Sequence, residues 1–165
     1  MTQASCDGSS RGRGCRGYAG SRYAGHSTGV SLETGSGYAS SQPSGTKGGD
    51  WALISLATRL GSTDRVLPMT GKVPEVGSAI MLGGYQQDHP LVLMADPECR
   101  IVGRTTDGDG RQPLRHDCAG TRGDSGAPLP IEQGGKWYVA GVPEAAEGAA
   151  AGRLAVVLDE ARKRL

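Results

Sequence analysis

The chain has 165 residues and no phenylalanine, and with two tryptophans and five tyrosines its aromatics amount to 4 %. Base stacking on aromatic rings carries much of single-stranded nucleic-acid binding, and this chain has few rings to offer. Charge does not compensate. Eighteen Lys and Arg against seventeen Asp and Glu leave a net charge of +1 with both signs interspersed, which gives no electrostatic case for nucleic acid or an anionic membrane as partner. No apolar run approaches the roughly 18 residues of a membrane-spanning helix. Long aliphatic side chains are also missing from one end: between Met1 and Gly49 the only Val, Ile, Leu or Met residues are Met1, Val30 and Leu32. Apolar burial at roughly 25 cal/mol per Å² is what offsets chain entropy, so this stretch cannot build a core of its own. Nor does it hold the apolar centre that a signal peptide needs.

The four cysteines, Cys6, Cys15, Cys99 and Cys118, include no Cys-x-x-Cys spacing, which argues against a zinc site. Four cysteines allow three pairings, and buried free thiols are the alternative. Asp107-Gly108-Asp109-Gly110 hints at a calcium loop, but the twelfth position counted from Asp107 is Cys118 and not Glu, so a hairpin turn is the better reading. No cofactor is implied.

What is present falls into segments. Arg11 to Gly17 is an arginine-glycine run, and residues 1–17 are expected to be a disordered low-complexity tail in which Cys6 and Cys15 are unpaired or joined to each other. Short strands and turns are expected from Tyr18, then a short apolar strand at Trp51–Leu56 after the Gly48-Gly49 turn. Residues 61–77, with Pro68, Pro74 and three glycines, read as a linker. Beyond it, Ser78–Tyr85, Leu91–Asp96, Cys99–Arg104 and Leu114–Cys118 read as four strands at the close spacing of an antiparallel barrel. Ala127–Glu132 and Trp137–Val142 flank Gln133-Gly134-Gly135-Lys136 as a hairpin, and Leu154–Leu158 is a last strand. Asp159 reads as the N-cap of a short terminal helix with basic residues at its end.

The most informative stretch is His116 to Leu129, centred on Gly123-Asp124-Ser125-Gly126. A serine hydroxyl is a poor nucleophile unless a base takes its proton and backbone N–H groups stabilise the oxyanion. Glycines on both sides permit the tight backbone path that brings these groups to one point. Followed by Ala127-Pro128-Leu129, the motif resembles the nucleophile loop of the trypsin-like serine peptidases. Cys118, seven residues before Ser125, stands where that family has a disulfide cysteine. Asp50-Trp51-Ala52-Leu53-Ile54 resembles the segment carrying its triad aspartate. The resemblance spans roughly Tyr18 to Leu158 and is strongest from Gly48 to Val142.

Several expectations follow from that resemblance. The fold would be all-β, two antiparallel barrels with the N-terminal one incomplete: residues 18–60 as a partial first barrel, 61–77 as linker, 78–158 as second barrel and 159–165 as terminal helix. Ser125 would be the nucleophile, the Gly123 and Ser125 amides the oxyanion hole, Asp50 the residue orienting the catalytic imidazole, and Cys99–Cys118 a disulfide. Ala119 and Val142 would line the substrate pocket, and with no carboxylate at Ala119 the preference would be for small or apolar side chains. Pro143 departs from the family's substrate-binding strand and removes one donor from it. The protein would be a bacterial serine endopeptidase acting on protein or peptide substrates in a secreted or periplasmic setting.

The histidine is the point of departure. His116 lies on the strand entering the nucleophile loop, and His89 follows Asp50, against the family order of His, Asp, Ser. His26, in Ala24-Gly25-His26-Ser27, has the right order and is the candidate base, yet it lacks a preceding apolar strand and stands only 24 positions before Asp50. These departures lead to the expectation of an N-terminally truncated or altered chain. They also keep open a non-catalytic homologue that only binds. Arg122-Gly123-Asp124-Ser125 spells an adhesion motif as well, a reading that requires an exposed loop tip.

Overall fold

The computed structural model of the protein describes residues 2–6, 14–19, 22–38, 47–64, 66–87, 91–121, 123–144 and 153–164. The chain is nearly all-β, and it divides into two compact units, one of residues 1–33 with 52–67 and the other of residues 34–51 with 68–165.

The first unit is a four-stranded sheet, order β1-β2-β3-β4, of Thr2–Cys6, Gly14–Ala19, Arg22–Thr34 and Ala52–Leu56. Two of these strands lie inside the span whose composition reads as a tail, and their antiparallel register sets Cys6 opposite Cys15. The end of β4 is tied to β3 where the Ala57 N–H donates to the Thr28 carbonyl (2.9 Å) and the Thr58 N–H to the buried Ser27 hydroxyl (2.8 Å). Aliphatic poverty shows directly here: Val30 and Leu32 are exposed, and the strand expected to be buried at Trp51–Leu56 has no buried residue within Ala52–Leu56.

The second unit holds a nearly closed six-stranded barrel, order β5-β6-β7-β10-β9-β8, made of β5 Ala79–Tyr85, β6 Leu93–Arg104, β7 Leu114–His116, β8 Leu129–Gln133, β9 Lys136–Pro143 and β10 Arg153–Val157. Every pairing between these strands is antiparallel. The edge strands β5 and β8 pack against each other, which brings the barrel close to closure. Alternating residues point inward, as strand geometry requires: Ile80 and Leu82 of β5, Cys99 and Ile101 of β6, Leu114 of β7, Leu129 and Ile131 of β8, Ala140 of β9 and Ala155 of β10 form the core. Among the described residues the structure shows one nearly closed barrel and one four-stranded sheet, and a second barrel is not shown.

Three details differ from the sequence-based expectation. The two strands predicted at Leu91–Asp96 and Cys99–Arg104 are one continuous β6, whose pairing with β5 shifts register between Leu82↔Asp96 and Ile80↔Cys99. Pro97 has no N–H to give to the ladder, and a bulge accommodates it without ending the strand. The hairpin turn is the two glycines alone, Gly134 (φ 60°) and Gly135 (φ 77°), with Gln133 opposite Lys136. Two successive positive φ angles are what a tight hairpin turn needs. The terminal helix, α1 (Asp159–Arg162), has Leu158 and not Asp159 at its N-cap position, with no side-chain capping bond. The Asp159 carboxylate turns instead to Lys163 (2.9 Å) and Arg162 (3.4 Å), and the hydrogen bond from Lys163, with the charges of both bases, holds its pKa below the ordinary carboxylate value.

Among the described residues of the segment 34–51, a 3₁₀ turn spans Lys47–Gly49. The Gly48 N–H donates to Asp107 Oδ2 (2.9 Å), Lys47 pairs with Glu144 (3.2 Å), and Arg111 donates to the Ser36 carbonyl and hydroxyl. The Arg164 guanidinium lies 5.9 Å from the centre of the buried Trp51 ring, within cation–π range. Asp107 thus closes the loop between β6 and β7, accepting the amides of Asp109 (3.0 Å) and Arg111 (2.8 Å). The run forms a turn, with the Arg111 guanidinium against the Asp107 and Asp109 carboxylates.

Leu114 is fully enclosed by the barrel. Replacing it with alanine is expected to cost about 3 kcal/mol, read as a lower denaturant midpoint at unchanged m-value. A loss below about 1 kcal/mol would mean that the core collapses around the vacancy.

Candidate functional site

The nucleophile loop begins where β7 ends. Asp117 is bound to β6 twice: its N–H donates to the Arg100 carbonyl (3.2 Å) and its Oδ1 accepts the Arg100 N–H (2.6 Å). Cys118 is joined to Cys99 of β6 by the expected disulfide. Next, the Ala119 N–H donates to Asp96 Oδ2 (2.6 Å), and Asp96 Oδ1 accepts the Glu98 N–H (3.2 Å) across the bulge.

The chain then turns through Gly123 (φ 104°) to Gly126 (φ 79°). L-residues with a side chain rarely adopt such angles. Gly123 has a second constraint, since a Cβ there would sit 2.9 Å from the Tyr85 carbonyl oxygen and 3.0 Å from the Gln87 nitrogen, whereas a Cβ at Gly126 meets nothing within 4 Å. Between the glycines the two side chains go opposite ways: Ser125 is exposed and Asp124 is buried. Asp124 Oδ2 accepts the Thr121 N–H (2.8 Å), and the carboxylate is wedged between Gly84 of β5 and Gly120, where a Cβ at either glycine would approach an Asp124 oxygen to 2.7 Å. The loop is closed by the Ala127 N–H on the Asp124 carbonyl (2.9 Å) and the Gly126 N–H on the Pro143 carbonyl of β9 (3.0 Å).

No protein-family model matches the chain, and none of the curated proteins matches it. The site therefore rests on its own geometry.

Ser125, Gly123, Ala119, Cys99, Cys118 and Val142 lie in the second unit together with Asp50. Ala119 is exposed beside the loop, and Val142 is half-buried on β9 opposite Val156 of β10. Asp50 follows the 3₁₀ turn, its N–H donating to the Lys47 carbonyl (3.0 Å). It is half-buried, and desolvation pushes its pKa above the ordinary aspartate value. His26 is exposed on β3 and belongs to the first unit. His116 is buried on β7, between Ile101 of β6 and Arg153 of β10 in the register. His89 and Arg122 lie outside the described residues. With the Asp124 carboxylate buried and bonded to Thr121, the adhesion motif does not present its acid. Among the described residues no cluster of three His, Cys, Asp or Glu is arranged to hold a metal ion.

Sequence reasoning missed the contribution of Asp96. It lies 23 residues before Ala119, and nothing local marks it; the adjoining Pro97, a bulge signal inside an extended run, was the available hint.

The two glycines make a paired prediction. Gly126→Ala costs the positive-φ penalty alone, about 1 kcal/mol, whereas Gly123→Ala adds the clash with the β5 backbone and costs about 3 kcal/mol. Urea unfolding of both variants measures the difference, and equal midpoints would refute the close approach of Gly123 to Tyr85. Asp50 gives a pH prediction. The folded chain binds the Asp50 proton more tightly than the unfolded chain, so this group's contribution is complete below about pH 4 and is lost as pH rises through the raised folded value. Asp50→Asn removes that loss, so its stability relative to the unmodified protein improves between pH 3 and pH 7. A difference independent of pH would exclude the shift.

Proposed function

We propose that the chain is a trypsin-like serine endopeptidase domain, with the six-stranded barrel as the second barrel of that fold and the four-stranded sheet in the place of the first. The single observation that carries the reading is the turn from Gly123 to Gly126, where two positive-φ glycines flank an exposed serine above a buried, hydrogen-bonded aspartate. Such a turn holds a hydroxyl and adjacent backbone amides in a fixed relation.

In this reading Ser125 Oγ attacks the scissile carbonyl carbon as its proton passes to an imidazole. The amides of Gly123 and Ser125 stabilise the oxyanion, where one such donor contributes about 3 kcal/mol to the barrier. The imidazolium then protonates the leaving amine, the C–N bond breaks, and water releases the acyl group by the reverse proton path. Asp50 orients the imidazole and stays ionised, and His26 is the candidate base. Ala119 favours substrates with small or apolar side chains, and the disulfide suits an oxidising compartment outside the cytosol. A second reading, a binding homologue without catalysis, is favoured by the setting of His26 in the sequence, where no apolar strand precedes it and Asp50 follows only 24 positions later.

A fluorophosphonate probe separates the two, since Ser125 Oγ displaces fluoride from phosphorus only where the hydroxyl is activated. Stoichiometric labelling at Ser125, lost in Ser125→Ala and reduced at least ~10²-fold in His26→Ala, is expected for the peptidase with His26 as base. Labelling that survives His26→Ala would reject His26, and no labelling of folded protein would reject the peptidase.

A further inference from the structure

We infer that Asp96 is a positioning residue for the Ser125 loop, acting through the Ala119 amide. This rests on the proposed role of Ser125 as nucleophile.

The geometry has three parts. First, the bulge at Pro97 and Glu98 puts Asp96 and Cys99 next to the same short stretch of chain, so β6 holds Cys118 by the disulfide and Ala119 by the Asp96 carboxylate (2.6 Å). Second, Asp96 is itself locked, because its other oxygen accepts the Glu98 N–H (3.2 Å) inside the bulge. A carboxylate bound at both oxygens is a stiffer anchor than one free to rotate, and a bond with one ionised partner is roughly twice as strong as a neutral one. Third, the stretch beyond Ala119 has its own bonds to Asp124 through Thr121 and its own glycine approach at Gly120. Movement at Ala119 therefore reaches the Thr121 amide and the turn that presents Ser125. The disulfide alone fixes the path at Cys118; Asp96 fixes the direction in which the chain leaves it.

Asp96 touches neither the serine hydroxyl nor a substrate pocket residue side chain in this arrangement, so the expected signature is on the chemical step. In labelling with a fluorophosphonate too small to fill the pocket at Ala119, resolved into a reversible binding constant and a maximal rate, Asp96→Ala is expected to lower the maximal rate ~10-fold with a far smaller change in the binding constant, as a small misplacement of a reacting group does. Asp96→Asn, which keeps an acceptor for the Ala119 N–H, restores the rate to within ~2-fold. Far-UV circular dichroism and the mass of the intact disulfide confirm that each variant is folded. If Asp96→Ala does not fold, Asp96→Glu carries the test, because its extra methylene displaces the oxygens while keeping the charge, and the same loss is expected. A maximal rate equal to that of the unmodified protein in Asp96→Ala, or in Asp96→Glu where that variant carries the test, overturns the inference. If the unmodified protein does not label at all, the peptidase reading fails, and amide hydrogen exchange decides on Asp96. Faster exchange at Ala119 and from Thr121 to Gly126 in the variant supports the anchor, and unchanged exchange overturns it.

Discussion

Three consecutive residues, Asp117 to Ala119, are held to β6 by one disulfide and three hydrogen bonds, and the candidate site depends on that attachment. A loop that must present a hydroxyl cannot also supply the rigidity that fixes it, so the rigidity comes from the strand behind. Cross-linking cysteines 19 residues apart stabilises a fold by about 3 kcal/mol, through the freedom removed from the unfolded chain. Here the cross-link also decides where the loop starts, because it lies at the last residue before the chain leaves the barrel.

From that starting point the loop is shaped by what has no side chain. Burying a carboxylate is costly unless it is hydrogen-bonded, and Asp124 is accommodated because Gly84 and Gly120 leave it room and the Thr121 amide donates to it. With the aspartate directed inward, its neighbour Ser125 is directed outward. The same four letters that spell an adhesion motif therefore fold into a turn that hides the acid and displays the hydroxyl.

The stretch carrying Asp50 is fixed by different means. The described residues of this stretch, 34–38 and 47–51, include the buried Trp51 and make polar contacts: Gly48 on Asp107, Ser36 on Arg111, Lys47 on Glu144, and the Arg164 guanidinium over Trp51. Exposed ion pairs are individually weak, but the Lys47–Glu144 pair is mostly buried at both ends. The Asp107 carboxylate also organises its own turn, so its bond to Gly48 comes from a group that is already in place.

Strand positions in the second unit, apart from the join that makes β6 one strand, were legible in the residues because period-two burial and turn chemistry are local. Ile80 with Leu82, Cys99 with Ile101, and the two glycines of the β8–β9 hairpin each announce their roles within a few residues. The Gly123–Gly126 turn was legible for the same reason. What could not be read locally were bonds between distant residues. Asp96 meets Ala119 only because Pro97 forces a bulge into β6 in the fold, and Asp107 meets Gly48 only once β6 and β7 pair. The sequence by itself determined an all-β chain with a glycine-flanked serine turn and an aliphatic-poor stretch from Met1 to Gly49. Only the tertiary structure decided which carboxylates hold that turn, because a side-chain hydrogen bond across 20 or more residues leaves no mark on either neighbourhood until pairing brings them together.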